Sequence, residues 1–220
     1  MEKKRNFANI GRQTKVTEQN MQHFMSNSPW SGPLLMSKVR EEVGQQDEFQ
    51  RGSMLLLDES ADDKAGEQSV GAGRQYNGRR GKVDNCQVGV FLGYANQGYQ
   101  TWVDGEVFIP QSWFEAESAQ RRRQAGIPPE RQFQTKPELG WQMIQRVHEE
   151  GLPFAGVAFD TLYGRNPWLR DQVESVGLEY YADIPANTLV YLQPPVIGIP
   201  NNKRGPKAQK RRVLSPSAVR

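Results

Sequence analysis

The chain has 220 residues, 36% hydrophobic and 24% charged with five tryptophans, a composition that excludes a disordered chain and suits a globular protein that orders most of its length. No apolar run approaches the ~20 residues that span a bilayer, and Met1-Glu2-Lys3-Lys4-Arg5 leads into no apolar signal region, so no membrane segment and a cytoplasmic address are expected. The single Cys86 excludes an internal disulfide framework, and with His23 and His148 far apart it forms no structural zinc site, so any metal would need carboxylates.

The first 48 residues are expected to be helical. Met21, Phe24 and Met25 follow Thr17 at helical spacing up to Ser26-Asn27-Ser28-Pro29, and Ser31 with Pro33 restarts a helix that Gly44 ends. Past Arg51 the period changes. Met54-Leu55-Leu56-Leu57 is a short apolar run of the kind found in a strand buried on both faces, and Asp58 is expected where it emerges. Residues 60 to 84, glycine-rich and polar with Arg74, Arg79, Arg80 and Lys82, are expected to form a long basic loop. Gln87 to Tyr94, Tyr99 to Val103 and Glu106 to Ile109 then form three strands of an antiparallel meander, divided by Asn96-Gln97-Gly98 and Asp104-Gly105.

Beyond the charged segment Arg121-Arg122-Arg123, Thr135-Lys136-Pro137-Glu138 is a T-x-x-E capping box with proline in the first turn, and Gly151 stands at a C-cap, so residues 137 to 150 are predicted helical. Phe154 to Phe159 forms a second apolar strand that ends in Asp160. A further helix opens at Asn166-Pro167 and closes at Gly177, and Glu179 to Leu192 is predicted as strand with a break near Pro185. From Pro194 onward no apolar period remains, and a tail is expected.

Charge is unevenly spread under the net +3. Residues 203–220 carry Lys203, Arg204, Lys207, Lys210, Arg211, Arg212 and Arg220 with no acid, and residues 1–15 are basic too, which leaves the body acidic. Basic ends suit a polyanion, because Lys and Arg displace counterions from phosphates, or are simply solvated termini.

Asp58 and Asp160 are the candidate chemistry. In a ribonuclease H-like fold the strands that carry them lie side by side and parallel, bringing two carboxylates within reach of shared Mg²⁺, which takes hard oxygen ligands and serves phosphodiester chemistry. Neighbours on a strand face opposite sides, so one of Asp58 and Glu59 enters the site; Asp58 is preferred, although the apolar run before it gives no parity.

The segments Leu56-Leu57-Asp58-Glu59-Ser60, Gly81-Lys82-Val83-Asp84-Asn85-Cys86-Gln87-Val88-Gly89-Val90, Thr135-Lys136-Pro137-Glu138-Leu139 and Asp160-Thr161-Leu162-Tyr163-Gly164 resemble the DDE transposases of bacterial insertion sequences, with likeness over about residues 49 to 192. The resemblance implies an α/β, ribonuclease H-like mixed sheet with flanking helices that cuts and rejoins DNA using Mg²⁺ or Mn²⁺ held by two aspartates and a glutamate. Asp58 and Asp160 match the aspartates and no residue here matches the glutamate, so a truncated copy is expected, with a helical DNA-binding segment at 1–48, a partial catalytic domain at 49–192 and the start of an insertion at 193–220. It departs from the family pattern in Ala61-Asp62-Asp63-Lys64-Ala65-Gly66, which adds negative charge beside the site. A possible homodimer is a further implication of the family, and a non-catalytic DNA-binding remnant is the alternative function. Arg74, Arg79, Arg80, Lys82 and the basic tail are the candidate DNA contacts. Arg121 to Arg123 are expected on an exposed face, Trp102 and Trp113 in core or edge packing, and Cys86 as a small buried hydrophobe.

Overall fold

A computed structural model describes residues 6–29, 31–49, 52–201 and 209–215. The chain divides into two compact units, one through Gln46 and one from Asp47. The first unit holds α1 (Phe7–Thr14), α2 (Glu18–Asn27) and α3 (Gly32–Gly44). Each begins on a polar cap: the Asn6, Thr17 and Ser31 side chains accept from the backbone N–H of Asn9, Asn20 and Leu34, satisfying donors that a helix start leaves orphaned. Helices α2 and α3 fall where the apolar spacing placed them.

The second unit contains β1 (Met54–Asp63), β2 (Gly73–Asn77), β3 (Lys82–Asn96), β4 (Tyr99–Phe108), α4 (Ala119–Gln124), α5 (Lys136–Glu149), β5 (Gly156–Phe159), α6 (Thr161–Gly164), α7 (Pro167–Ser175) and β6 (Tyr180–Ala182). Strand β3 pairs antiparallel with β1, β2 and β4, while β5 pairs parallel with both β1 and β6. The spatial order β4, β3, β1, β5, β6 is an antiparallel meander extended by two parallel strands that follow helical crossovers, the mixed sheet expected of a ribonuclease H-like fold.

Helix α5 lies on one face of this sheet. Its Thr135–Glu138 capping box is formed in both directions, and it buries Leu139, Trp141, Met143, Ile144 and Val147. The helix packs against β3 and β4, and Leu55 and Leu57 of β1 with Val88, Val90, Leu92 and Tyr94 of β3 have almost no exposed surface. Gly140 makes the approach close, since a Cβ there would stand 2.6 Å from a Leu57 methyl.

Several expectations are corrected. Strand β1 does not end at Asp58 but continues to Asp63, because β3 remains its antiparallel partner after β5 has ended. The segment 60–84 is not one loop: its middle is β2, an edge strand whose alternation of Gln75 and Asn77 against exposed Arg74 and Tyr76 has no apolar signature. Asp104-Gly105 is no turn. Both lie inside β4, with Asp104 buried against Arg146 at 2.9 Å, and Gly105 beneath the Phe91 ring, which a Cβ would meet at 2.9 Å. Asn96-Gln97-Gly98 does turn, with positive φ at Gln97 and Gly98. Of residues 179 to 192 only Tyr180–Ala182 is a regular strand. The expected tail contains a small separate sheet, β7 (Val196–Gly198) paired antiparallel with β8 (Arg212–Ser215).

Arg121 and Arg122 are not on a solvated face either. The Arg121 guanidinium stacks 3.8 Å from the Trp113 ring centroid and donates to the carbonyls of Ala72, at 2.9 Å, and Glu67, while Arg122 donates to those of Trp113 and Glu115. Trp113 itself is buried and donates to Ala72, and Cys86 is buried as expected.

Candidate functional site

The parallel register of β1 and β5 runs from Met54 opposite Gly156 to Leu57 opposite Phe159. Asp58 and Asp160 are the next residues on each strand. Alternation along β1 buries Leu55 and Leu57 under α5 and turns Leu56, Asp58 and Ser60 to the exposed face. Asp160 leaves the sheet at once and caps α6, its Oδ1 accepting from the backbone N–H of Leu162 at 2.9 Å and of Tyr163 at 3.4 Å. Both carboxylates open on one cleft of about 340 Å³ that Glu59, Ser60, Tyr76 and Arg79 also line.

Charge is concentrated there. Burial, helped by the negative charges of Asp160 and Glu59, holds the Asp58 carboxyl above its ordinary range, against the opposing pull of the Glu59 backbone N–H, which donates to it at 2.7 Å, and of Lys136. A bound cation would offset both the burial of that charge and its repulsion by neighbouring acids.

Glu59 has a different partner. Its Oε1 accepts from Lys136 Nζ at 2.9 Å, with 21% and 17% of the two side chains exposed. Lys136 opens α5, so the pair ties the helix to β1 beside Asp58. The hydroxyl of Tyr163 is buried in the field of Glu59, and burial with that charge pushes its pKa far above the usual value for a phenol. The sequence assigns no task to Lys136, Tyr163 and Tyr76, although Tyr76 closes Arg74-Gln75-Tyr76, a further segment that resembles the family. Lys136 and Tyr163 do stand in the motif segments T-K-P-E and D-T-L-Y-G, but 77 positions separate Lys136 from Glu59 and only the fold shows that they meet.

Two aspartates in one cleft give hard oxygen donors that fit a divalent cation such as Mg²⁺, which commonly takes one or two carboxylates and keeps water in its other positions. Among the described residues no group of three or more His, Cys, Asp and Glu side chains is gathered as a metal site.

The candidate DNA contacts separate. Arg79 lines the cleft. Arg80 is bonded to Asp63 at 2.7 Å and Asp84 at 3.3 Å, Lys82 is 3.5 Å from Asp84, and Arg74 is exposed on β2. Lys210, Arg211 and Arg212 are exposed at the start of β8 and do not line the cleft; Lys203, Arg204 and Lys207 lie outside the described residues. No helix among the described residues is long and apolar enough to cross a membrane.

Comparison with known proteins gives a consistent family. The profile described as DDE superfamily endonuclease matches residues 1–219. The chain is 30% identical over 178 residues to the probable transposase for insertion sequence element IS701 of Microchaete diplosiphon, covering 80% of this chain and 43% of that protein, so it spans less than half of that relative. Among solved structures it matches the Drosophila P element transposase strand transfer complex at 11% identity and a TM-score of 0.30, over 81% of this chain and 37% of the other. It also matches a Mos1 transposase paired-end complex with left transposon end at 10% identity and a TM-score of 0.28, over 84% and 56% of the two chains.

Proposed function

The chain belongs to the DDE superfamily endonucleases, and from that premise we propose that its second unit is the phosphodiester-handling part of a DNA transposase, with Asp58 and Asp160 holding Mg²⁺ or Mn²⁺. The observation that carries this reading is the β1–β5 register, which leaves two aspartates as the next residues on adjacent parallel strands and opens both on one cleft. Each residue then has a task. Asp58 presents its carboxylate on the open face of the sheet, Asp160 is oriented by the two backbone N–H groups of the α6 cap, and Lys136 neutralises Glu59 beside them. A divalent cation at such carboxylates supplies charge stabilisation to phosphodiester oxygens and lowers the pKa of bound water.

DNA is the substrate in this reading, with insertion-sequence ends and target DNA as partners, a homodimer as the acting assembly and the cytoplasm as the place of action. Basic segments outside the cleft add phosphate contacts that carry no sequence information. The test is nicking of supercoiled plasmid by the purified chain in Mg²⁺ or Mn²⁺. Metal-dependent nicking that disappears in Asp160→Ala is the expected result, and metal-independent or persistent nicking overturns the assignment. Light scattering of the DNA complex reports whether two copies assemble.

A second reading is favoured by one observation, that no group of three or more acids among the described residues is arranged to hold a metal ion, Glu59 being paired with Lys136. On that reading the chain binds DNA without cutting it. Tight, salt-sensitive binding with no nicking in either metal selects it.

A further inference from the structure

The cations of the segment between β1 and the body of β3 are employed differently. Arg80 is neutralised: Nε and Nη2 donate to one oxygen of Asp63 at 3.1 and 2.7 Å, and Nη1 reaches Asp84 at 3.3 Å. Buried Asn77 donates to the other Asp63 oxygen at 2.7 Å, and the Arg80 backbone N–H closes the turn onto the Asn77 carbonyl at 3.0 Å. Lys82 shares Asp84. The β2–β3 turn is thus pinned to the end of β1 through Asp63.

Arg79 lies in the same turn and takes no part in the pinning. Among the described residues it makes no hydrogen bond and no ion pair within 4 Å; Asp62 feels its charge but is bonded to Lys64 at 2.7 Å. Arg79 lines two adjoining hollows, one of about 340 Å³ with Asp58 and Asp160 and one of about 320 Å³ with Gln87, Phe91 and Val107. Ser60 and Ala61 border both, so the two hollows adjoin with Arg79 common to them.

A guanidinium held by a fixed turn and left unspent in a cleft lined by Asp58, Glu59 and Asp160 is placed for a group that carries negative charge and accepts hydrogen bonds in a fork. We propose that Arg79 grips the phosphate that lies against Asp58 and Asp160, while Arg80 and Lys82 serve the hairpin and not the DNA. This rests on the DNA-processing reading above and assigns one of its contacts. Acids alone repel a phosphate, and Arg79, in the lining of the same cleft, supplies positive charge against that repulsion, as a cation held by the aspartates would.

The test is the salt dependence of binding to a short DNA duplex, read by fluorescence anisotropy for the wild-type chain, Arg79→Gln, Arg79→Lys and Arg80→Gln. Loss of one phosphate contact lowers the slope of log K against log salt by about 0.9. The expected result is that drop in Arg79→Gln at an unchanged melting temperature, recovery of the slope in Arg79→Lys, and an unchanged slope with a lower melting temperature in Arg80→Gln. Ca²⁺, added at constant ionic strength, locates the contact. It tightens wild-type binding, and the gain is smaller in Arg79→Gln because both hold one phosphate. Equal slopes for wild type and Arg79→Gln, a slope change in Arg80→Gln instead, or an equal Ca²⁺ gain overturns the assignment of Arg79 and leaves the DNA-processing reading standing. No binding of DNA by the wild-type chain overturns both.

Discussion

Glu59 and Lys136 meet at 2.9 Å on the face of β1 that α5 covers, and Asp58, one residue earlier, faces the other way. Asp58, Glu59 and Asp160 all line one cleft, but Glu59 is engaged by Lys136 while Asp58 is not. The Glu59–Lys136 pair is mostly shielded from solvent, so removing one partner strands a charge. Lys136→Met is expected to cost about 2 kcal/mol, below the cost of breaking a fully buried pair, and Glu59→Gln with Lys136→Met together to cost less than the sum of the two single changes. Urea unfolding of the four proteins measures this. Mn²⁺ affinity separates the two acids: Asp58→Asn abolishes binding and Glu59→Gln retains it, and the reverse pattern assigns the site to Glu59.

The raised Asp58 carboxyl gives a pH dependence with a definite sign. Its proton is bound more tightly in the folded chain than in the unfolded one, so its stabilising contribution is full below the unfolded carboxylate range and is lost as pH rises through the folded value. At neutral pH the charged Asp58 therefore weighs against the metal-free fold. Mg²⁺ or Mn²⁺ is expected to raise the melting temperature there, by mass action on the folded state, and the increment shrinks as acid protonates Asp58. Thermal melts across pH, with and without Mn²⁺, check this. Asp58→Asn should raise the metal-free melting temperature and remove the response to Mn²⁺; a full response in that variant counts against the assignment.

The two aspartates were legible because each closes a short apolar run, and α5 was legible because Thr135, Pro137, Glu138 and Gly151 mark its ends by local hydrogen bonding. What local chemistry does not encode was missed. Strand β2 pairs along a polar edge, so Gly73 to Asn77 has no apolar pattern to betray it. Asp104-Gly105 has the composition of a turn and remains in β4, because Arg146 on a distant helix takes the acid and the Phe91 ring fills the place of the missing side chain. The site was divided in the same way: Asp58 and Asp160 by motif, but Lys136, Tyr163 and the special position of Arg79 only through contacts across the fold.

Asp104 supplies a test of that override. Its side chain is 6% exposed and meets Arg146 Nε at 2.9 Å, while Arg146 Nη2 is 3.5 Å from Glu106. Arg146→Met takes the guanidinium from a buried carboxylate and is expected to cost about 3 kcal/mol. Asp104→Asn, which keeps the shape and removes the charge, is expected to cost less. Chemical denaturation orders the two variants, and equal losses would show shape rather than charge to be the main demand at this position.

Gly164 ends α6 with no room to spare. A Cβ there would stand 2.1 Å from the backbone oxygen of Asp183 and 3.2 Å from the Ala182 Cβ, and the chain at Asp183 is itself held by its N–H donating to Phe159 at 3.1 Å. Backbone cannot rotate aside as a side-chain tip does, so Gly164→Ala must push α6 and the end of β6 apart. Crowding of this kind costs about 1–3 kcal/mol, more than the ~1 kcal/mol that replacing glycine by alanine recovers in a helix. Gly66→Ala, with nothing within 4 Å of the new atom, is expected to change stability by less than about 0.5 kcal/mol. The displaced helix is also the one that Asp160 caps, so Gly164→Ala should weaken Mn²⁺ binding in the fraction that remains folded. Calorimetric titration with Mn²⁺ well below the melting temperature reads that loss, and wild-type affinity in a destabilised Gly164→Ala protein would show that the α6 cap does not set the position of Asp160.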